Sequence, residues 1–202
     1  MAQTARVVHP IEPVFDSRSR VLVLGTMPSP ASRAAGFYYG HPQNRFWKVL
    51  GALFGCPEPQ GVPERTAFLL ERRIALWDVL ASCTIAGASD ASIENPVPND
   101  LSRVAGVAPI RAVFTTGSKA SDLYRRFGAG MIPGATHVAL PSTSAANARM
   151  NLDDLVLAYR PLFDALAEAG EGDGRALRPV SRDSRSAAVE KRRNRGDTPG
   201  GV

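Results

Sequence analysis

Four short runs of this chain are apolar almost end to end: Arg20–Gly25 (RVLVLG), Ile74–Leu80 (IALWDVL), Ala112–Thr116 (AVFTT) and His137–Leu140 (HVAL). A strand with one wet face alternates apolar and polar side chains, because successive residues point to opposite sides; a strand covered on both faces does not. Runs this short and this continuous predict strands buried on both faces of a parallel sheet. Stretches of helical spacing lie between them. Asn44–Phe54 sets Phe46, Trp47, Leu50 and Phe54 along one side, Arg65–Arg73 follows the turn-rich CPEPQGVPE, and Ser118–Phe127 opens on Ser118 as a candidate N-cap. Asn151–Ala169 is amphipathic with Pro161 inside it, which predicts a kink or a fresh helix start. Strands alternating with helices give an α/β domain. Sites on such sheets sit at the carboxyl ends of the strands. That rule selects GTMPS after the first run, the residues after WDVL, TTGSKA after the third and PSTSAAN after the fourth.

Composition sets the outer limits. No run approaches the roughly 18 apolar residues that span a bilayer, so no membrane segment is expected. The opening MAQTARVVHPIEPVF lacks the apolar core of a secretory signal. Cys56 and Cys83 are too few for a disulfide framework, and no CxxC or Cys/His cluster points to a metal, so a reducing cytoplasm is expected. Residues 171–202 contain no aromatic residue and hold eight basic against five acidic groups, which accounts for +3 of the net +5. Such a segment buries too little apolar surface to offset its ordering entropy, so a catalytic domain over 1–170 and a disordered basic tail over 171–202 are expected. KRRNR within that tail is read either as a weak DNA tether or as a solvated terminus. The nearly neutral body permits nucleic acid as a partner without requiring it.

Two strand-end segments carry the chemistry. Gly25-Thr26-Met27-Pro28-Ser29-Pro30 is a turn that exposes backbone N–H groups, and it matches neither a dinucleotide nor a Walker fingerprint. Gly36–Trp47 (GFYYGHPQNRFW) then crowds aromatics, His41, Pro42 and Asn44 ahead of a helix; Asn44 fits an N-cap or a functional amide. Pro141–Arg149 (PSTSAANAR) offers three hydroxyls in a row, suited to phosphate oxygens or to capping.

GTMPS, FYYGHPQNRFW, IALWDVLASC and LPSTSAAN, in that order at four strand ends, resemble the uracil-DNA glycosylase superfamily over about residues 18–165, and within it the hypoxanthine (deoxyinosine) DNA glycosylase branch. The resemblance implies a three-layer α/β/α fold around a four-stranded parallel sheet. It also implies extraction of a deaminated base, uracil or hypoxanthine, from DNA and hydrolysis of its N-glycosidic bond to leave an abasic site. It implies a monomer working without metal or organic cofactor. Other branches carry Asp, Asn or Glu at the position of Met27 and often His or Asn at that of Leu140. Both departures match the hypoxanthine branch, which is similar in relying on the residue that is Asn44 here. An amide is no base near neutral pH, so Asn44 is expected to position water. The resemblance also implies that Tyr39 stacks under the base and that amides near Thr26 and Met27 meet a base carbonyl. Ser142, Thr143 and Ser144 are expected on the DNA backbone, with Ser29 and Arg149 beside them, and Asn147 or Arg149 is expected to fill the space that the base vacates in the duplex. Thr116 stands where a base-reading Asn is common, and its hydroxyl lacks the two-pronged amide geometry. Asp78, Asp90 and Asp100 are read as assistants to water or as caps and turns, His41 as orienting its loop and His137 as structural. Two competing readings are a non-catalytic damage-binding protein of this fold and a nucleoside hydrolase.

Overall fold

The computed structural model describes residues 4–87 and 89–171, so the tail beyond Glu171 lies outside the described residues. The chain runs β1 (Thr4–Val8), β2 (Val21–Gly25), α1 (Pro30–Ala35), α2 (Phe46–Leu53), α3 (Gly61–Glu71), β3 (Ile74–Asp78), β4 (Leu80–Ala86), β5 (Glu94–Pro98), α4 (Ser102–Ala105), β6 (Ala112–Thr116), α5 (Ser118–Leu123), β7 (Thr136–Leu140), α6 (Leu152–Ala158) and α7 (Arg160–Glu171).

The four apolar runs form one parallel sheet in the order β3-β2-β6-β7. β2, β3 and β6 are buried throughout, as their unbroken apolar character requires. β7 is partly exposed because it is an uncovered edge, whereas β3 at the other edge is covered by Val14, which exchanges backbone hydrogen bonds with Leu76; a four-residue run does not reveal this. The steps β2-to-β3 and β6-to-β7 run in opposite directions across the sheet, so right-handed crossovers place their helices on opposite faces. The result is the expected three-layer α/β/α fold. Its register pairs Gly25 with Asp78 and Thr116 with Leu140, which aligns the carboxyl ends of the strands in one row.

The run Ile74–Leu80 does not continue as one strand. The chain leaves the sheet after Asp78, where Val79 and Leu80 donate their N–H groups to the carbonyls of Gly25 (2.9 Å) and Thr26 (3.1 Å). β4 then enters a second, antiparallel sheet of order β1-β4-β5. Its half-buried LASCTIA is too mixed in polarity to announce a strand, and β5 carries two prolines, tolerated because it is an edge with register shifts against β4.

Helix boundaries follow local chemistry. α3 begins at Gly61 rather than Arg65, with Pro63 in its first turn, where a missing N–H costs little. Gly117, at φ +95°, caps α5 in place of Ser118 because the chain must turn sharply off β6. Asn151 caps α6 through a reciprocal box with Asp154, and the long amphipathic stretch breaks at Tyr159 so that Pro161 falls in the first turn of α7. The core beside the sheet is aromatic. Trp47 stacks on Phe37 and meets Phe46 edge-on, while its indole N–H donates to the carbonyl of Tyr38 (3.1 Å).

Candidate active site

The row of strand ends opens into a cleft of about 600 Å³, walled by the turn after β2, the aromatic loop before α2, the end of β3, the β4–β5 loop, Thr116, and the segment after β7.

The aromatic loop divides its residues. Phe37 and Tyr38 are buried, and the Tyr38 hydroxyl donates to the carbonyls of Ile11 and Glu12. Tyr39 adopts φ +52°, rare for a side chain of this size, and the reversal turns its ring out of the core and into the cleft wall. One face of that ring stacks on Phe46 at 3.8 Å, and its hydroxyl is 2.9 Å from that of Thr116. Burial, reinforced by the nearby Asp78 charge, pushes the phenol pKa far up, so the group stays neutral.

Asn44 is held from two sides. Its Oδ1 accepts the backbone N–H of Phe46 (2.9 Å) and the hydroxyl of Thr143 (2.9 Å). An amide oxygen has two lone pairs, and both are filled. The reversed amide would set N–H against N–H, so the orientation is fixed by the Phe46 donor. Its Nδ2 donors are what Asn44 has to offer the cleft. Thr143 is buried at 1% exposure and points at Asn44, not outward.

The segment after β7 is organised by a residue that sequence reasoning missed. The guanidinium of Arg45 donates to the carbonyls of Thr143 (3.4 Å), Ser144 (2.8 Å), Asn147 (2.9 Å) and Met150, and its backbone N–H reaches Thr143 as well. Residues 143–150 wrap around one planar donor set. Ser142 Oγ accepts the N–H of Ser144, Ser144 Oγ accepts that of Ala146, and the Asn147 amide donates to the Ser142 carbonyl. Both serine hydroxyl hydrogens remain available. Ser29 lines the cleft while capping α1, and Met27 contributes an apolar wall. Asn147 and Arg149 lie outside the lining. Arg45→Lys is expected to lower stability by about 2–3 kcal/mol, because a single ammonium cannot span four carbonyls and those left over lose their donor. Thermal denaturation checks the stability loss, and weakened binding of a DNA duplex checks the disorder of the segment.

At the inner end, His9 Nε2 lies 2.9 Å from Asp78 Oδ2, with side-chain exposures of 2% and 6%. His9 Nδ1 accepts the N–H of Ile11 (3.2 Å), so the ring proton sits on Nε2 and is donated to the carboxylate. The pairing of β1 with β4 carries His9 here. The other oxygen, Asp78 Oδ1, packs against Gly25 so closely that a methyl there would approach within 2.2 Å. Nothing in the sequence near His9 signals this contact across 69 residues.

Asp90 belongs to a 3-10 turn between β4 and β5 and accepts the Thr26 hydroxyl at 2.8 Å. The residue as a whole is exposed, yet its carboxylate tips into the cleft. Desolvation there raises its pKa and the Asp78 charge adds to the rise, against the Thr26 hydrogen bond and Lys119. Asp100 is remote: it is exposed and accepts from Ser102 at the start of α4. His41 stands on the rim, its Nδ1 accepting the N–H of Gln43 (3.1 Å). His137 is structural, its Nε2 2.9 Å from the Thr115 hydroxyl and its ring against Tyr124.

The family model described as Uracil DNA glycosylase superfamily matches residues 12–163. A protein named hypoxanthine DNA glycosylase from Methanosarcina acetivorans is 33% identical over 140 residues, covering 68% of this chain and 87% of that one. Its namesake from Methanosarcina barkeri is 33% identical over 113 residues, covering 54% and 71%. The solution NMR structure of a Methanosarcina acetivorans protein described as a candidate uracil DNA glycosylase superposes with a TM-score of 0.65 at 30% identity, over 77% of this chain and 98% of that one. With the family model matched across most of the α/β domain and residues of all four motifs lining one cleft, the chain belongs to the uracil DNA glycosylase superfamily.

Proposed function

We propose that the cleft receives a deaminated base, hypoxanthine or uracil, flipped out of DNA, and hydrolyses its bond to deoxyribose to leave an abasic site. Membership of the superfamily makes the chain a DNA glycosylase, a hydrolase of N-glycosyl bonds. The observation that carries the substrate reading is the pairing of an aromatic wall with a fixed carboxylate at the cleft's inner end, Tyr39 above Phe46 and Asp78 locked by His9.

A ring wall accepts any planar base, and stacking of this kind is worth about 1–3 kcal/mol per base. Discrimination must come from the base edge. Asp78 can only accept there, and deamination creates what it needs. Adenine N1 and cytosine N3 are lone pairs; hypoxanthine N1 and uracil N3 carry a hydrogen. A carboxylate facing that edge attracts the deaminated ring and repels the parent. Amides near Thr26 and Met27 then meet the adjacent carbonyl, and the Thr116–Tyr39 hydroxyl pair fixes the wall.

Cleavage passes through an oxocarbenium-like sugar while charge builds on the departing base. Asn44 holds the attacking water through Nδ2, which leaves one water lone pair for C1′. Ser142, Ser144 and Ser29 donate to backbone phosphates, Thr143 acts from beneath by fixing Asn44, and Asn147 and Arg149 reach the duplex outside the cleft. The test is base release from oligonucleotides carrying one hypoxanthine, uracil, xanthine or normal base under single-turnover conditions. Release of hypoxanthine or uracil with normal bases untouched is expected. Tight binding without release from any strand would overturn the reading in favour of a damage-binding protein.

A further inference from the structure

We infer that Asp90, tethered by Thr26 on the wall of the cleft, is the catalytic carboxylate that takes the proton from the attacking water. The inference rests on the glycosylase reading above. In the hydrolysis the water oxygen bonds to C1′, the C1′–N bond breaks with its electron pair passing to the base, and the water must shed one proton. The base takes a proton from solvent, and Asp90 returns its own to solvent afterwards.

The cleft offers few acceptors. Asn44 is not one, because both lone pairs of its Oδ1 are filled and Nδ2 only donates. His41 is not one, because its Nδ1 is filled by Gln43 and its Nε2 therefore carries the proton. Asp78 gives one oxygen to His9 and holds the other against Gly25, at the buried end where the base enters first. Asp90 is the remaining carboxylate among the lining residues: the residue itself is exposed, while its carboxylate tips into the cleft beside the buried Thr26. Thr26 fixes one of its oxygens at 2.8 Å and leaves the other with its lone pairs.

The groups around it suit the task. Burial, with a smaller push from Asp78 on β3, makes the carboxylate more basic than usual, while Thr26 and Lys119 on α5 moderate the rise; Tyr39 and Cys83 also feel its charge. A raised pKa makes a better proton acceptor, and the acceptor must be ionised to work. Activity should therefore fall as pH drops through that raised value.

Asp90→Asn keeps an oxygen for the Thr26 hydroxyl while removing charge and basicity. Single-turnover release of whichever base the wild type releases is expected to fall by about 100-fold or more at neutral pH. The acidic limb of the rate profile should vanish, with affinity for an uncleavable 2′-fluoro oligonucleotide within about twofold. Thr26→Val removes a bond that favours the charged form, so its acidic limb should move to higher pH. Wild-type rate in Asp90→Asn, or a reduced rate with the acidic limb intact, would overturn the assignment. So would an unmoved limb in Thr26→Val, which keeps the test decisive if Asp90→Asn fails to fold. Failure of the underlying reading looks different: the wild type itself would release no base.

Discussion

Asn44→Ala is expected to slow single-turnover base release by about 100- to 1,000-fold, the loss seen when a positioned donor is removed from a reacting centre. The substitution also strips two partners of their acceptor. The N–H of Phe46 loses its side-chain cap, and the buried Thr143 hydroxyl is left pointing at a methyl group. A stability loss of about 1 kcal/mol accompanies the change, so rates must be compared well below the melting transition. Asn44→Asp separates the two jobs. A carboxylate still accepts from Phe46 and Thr143, and a negative charge at the start of α2 suits the helix dipole, so the fold is preserved. It replaces the Nδ2 donors with an oxygen, however. Because the water is held by its oxygen, Asn44→Asp is expected to be nearly as slow as Asn44→Ala while melting like the wild type. Wild-type rate in the aspartate variant would show that a donor at the Nδ2 position is not required.

The contrast between Asn44 and Arg45 shows what the chain discloses on its own. Strands β2, β3 and β6 were legible because burial on both faces leaves an unbroken apolar run, and the positions of the site followed from the rule that parallel sheets work at their carboxyl ends. Asn44 and Tyr39 were legible as members of a crowded polar-aromatic segment. The partner of each was not. Periodicity reports which side of an element is wet, whereas a hydrogen bond depends on where two distant elements meet. Arg45 binds a loop about a hundred positions away, and His9 reaches Asp78 only because β1 pairs with β4. The second sheet was hidden for a related reason: β4 is short of strongly apolar residues and β5 holds prolines, so neither shows the alternation that marks a half-buried strand. Thr143 and Ser142 are neighbours with the same chemistry in sequence, yet one hydroxyl is buried under Asn44 and the other lines the surface of the cleft.

Asp78→Asn is expected to reverse the base preference rather than merely weaken it. His9 carries its proton on Nε2 and must find an acceptor, so it will draw the new amide's oxygen to the place now held by Oδ2. The amide nitrogen then takes the position of Oδ1 beside Gly25, and an acceptor in the cleft becomes a donor. The ring N–H of hypoxanthine or uracil would face another N–H. Leaving a buried donor unmatched costs about 1–3 kcal/mol, which corresponds to a roughly 5- to 150-fold loss of release for these bases. Adenine N1 and cytosine N3 present lone pairs to the same point, so slow release of a normal base should become measurable where the wild type shows none. The reacting groups at Asn44 and Asp90 are untouched, but one electrostatic effect reaches them. The Asp78 charge helps to raise the Asp90 pKa, so the acidic limb of the remaining activity should move to lower pH. His9→Phe provides the matching control: it removes the proton donor, keeps the aromatic bulk, and leaves Asp78 an acceptor but an unanchored one. Its expected signature is a lower rate with the preference order unchanged. Wild-type preference in Asp78→Asn, with an unchanged melting temperature, would transfer base reading to the Thr116 hydroxyl and the amides near Thr26 and Met27. Those groups meet a base carbonyl, which hypoxanthine and uracil carry where adenine and cytosine carry an amino group.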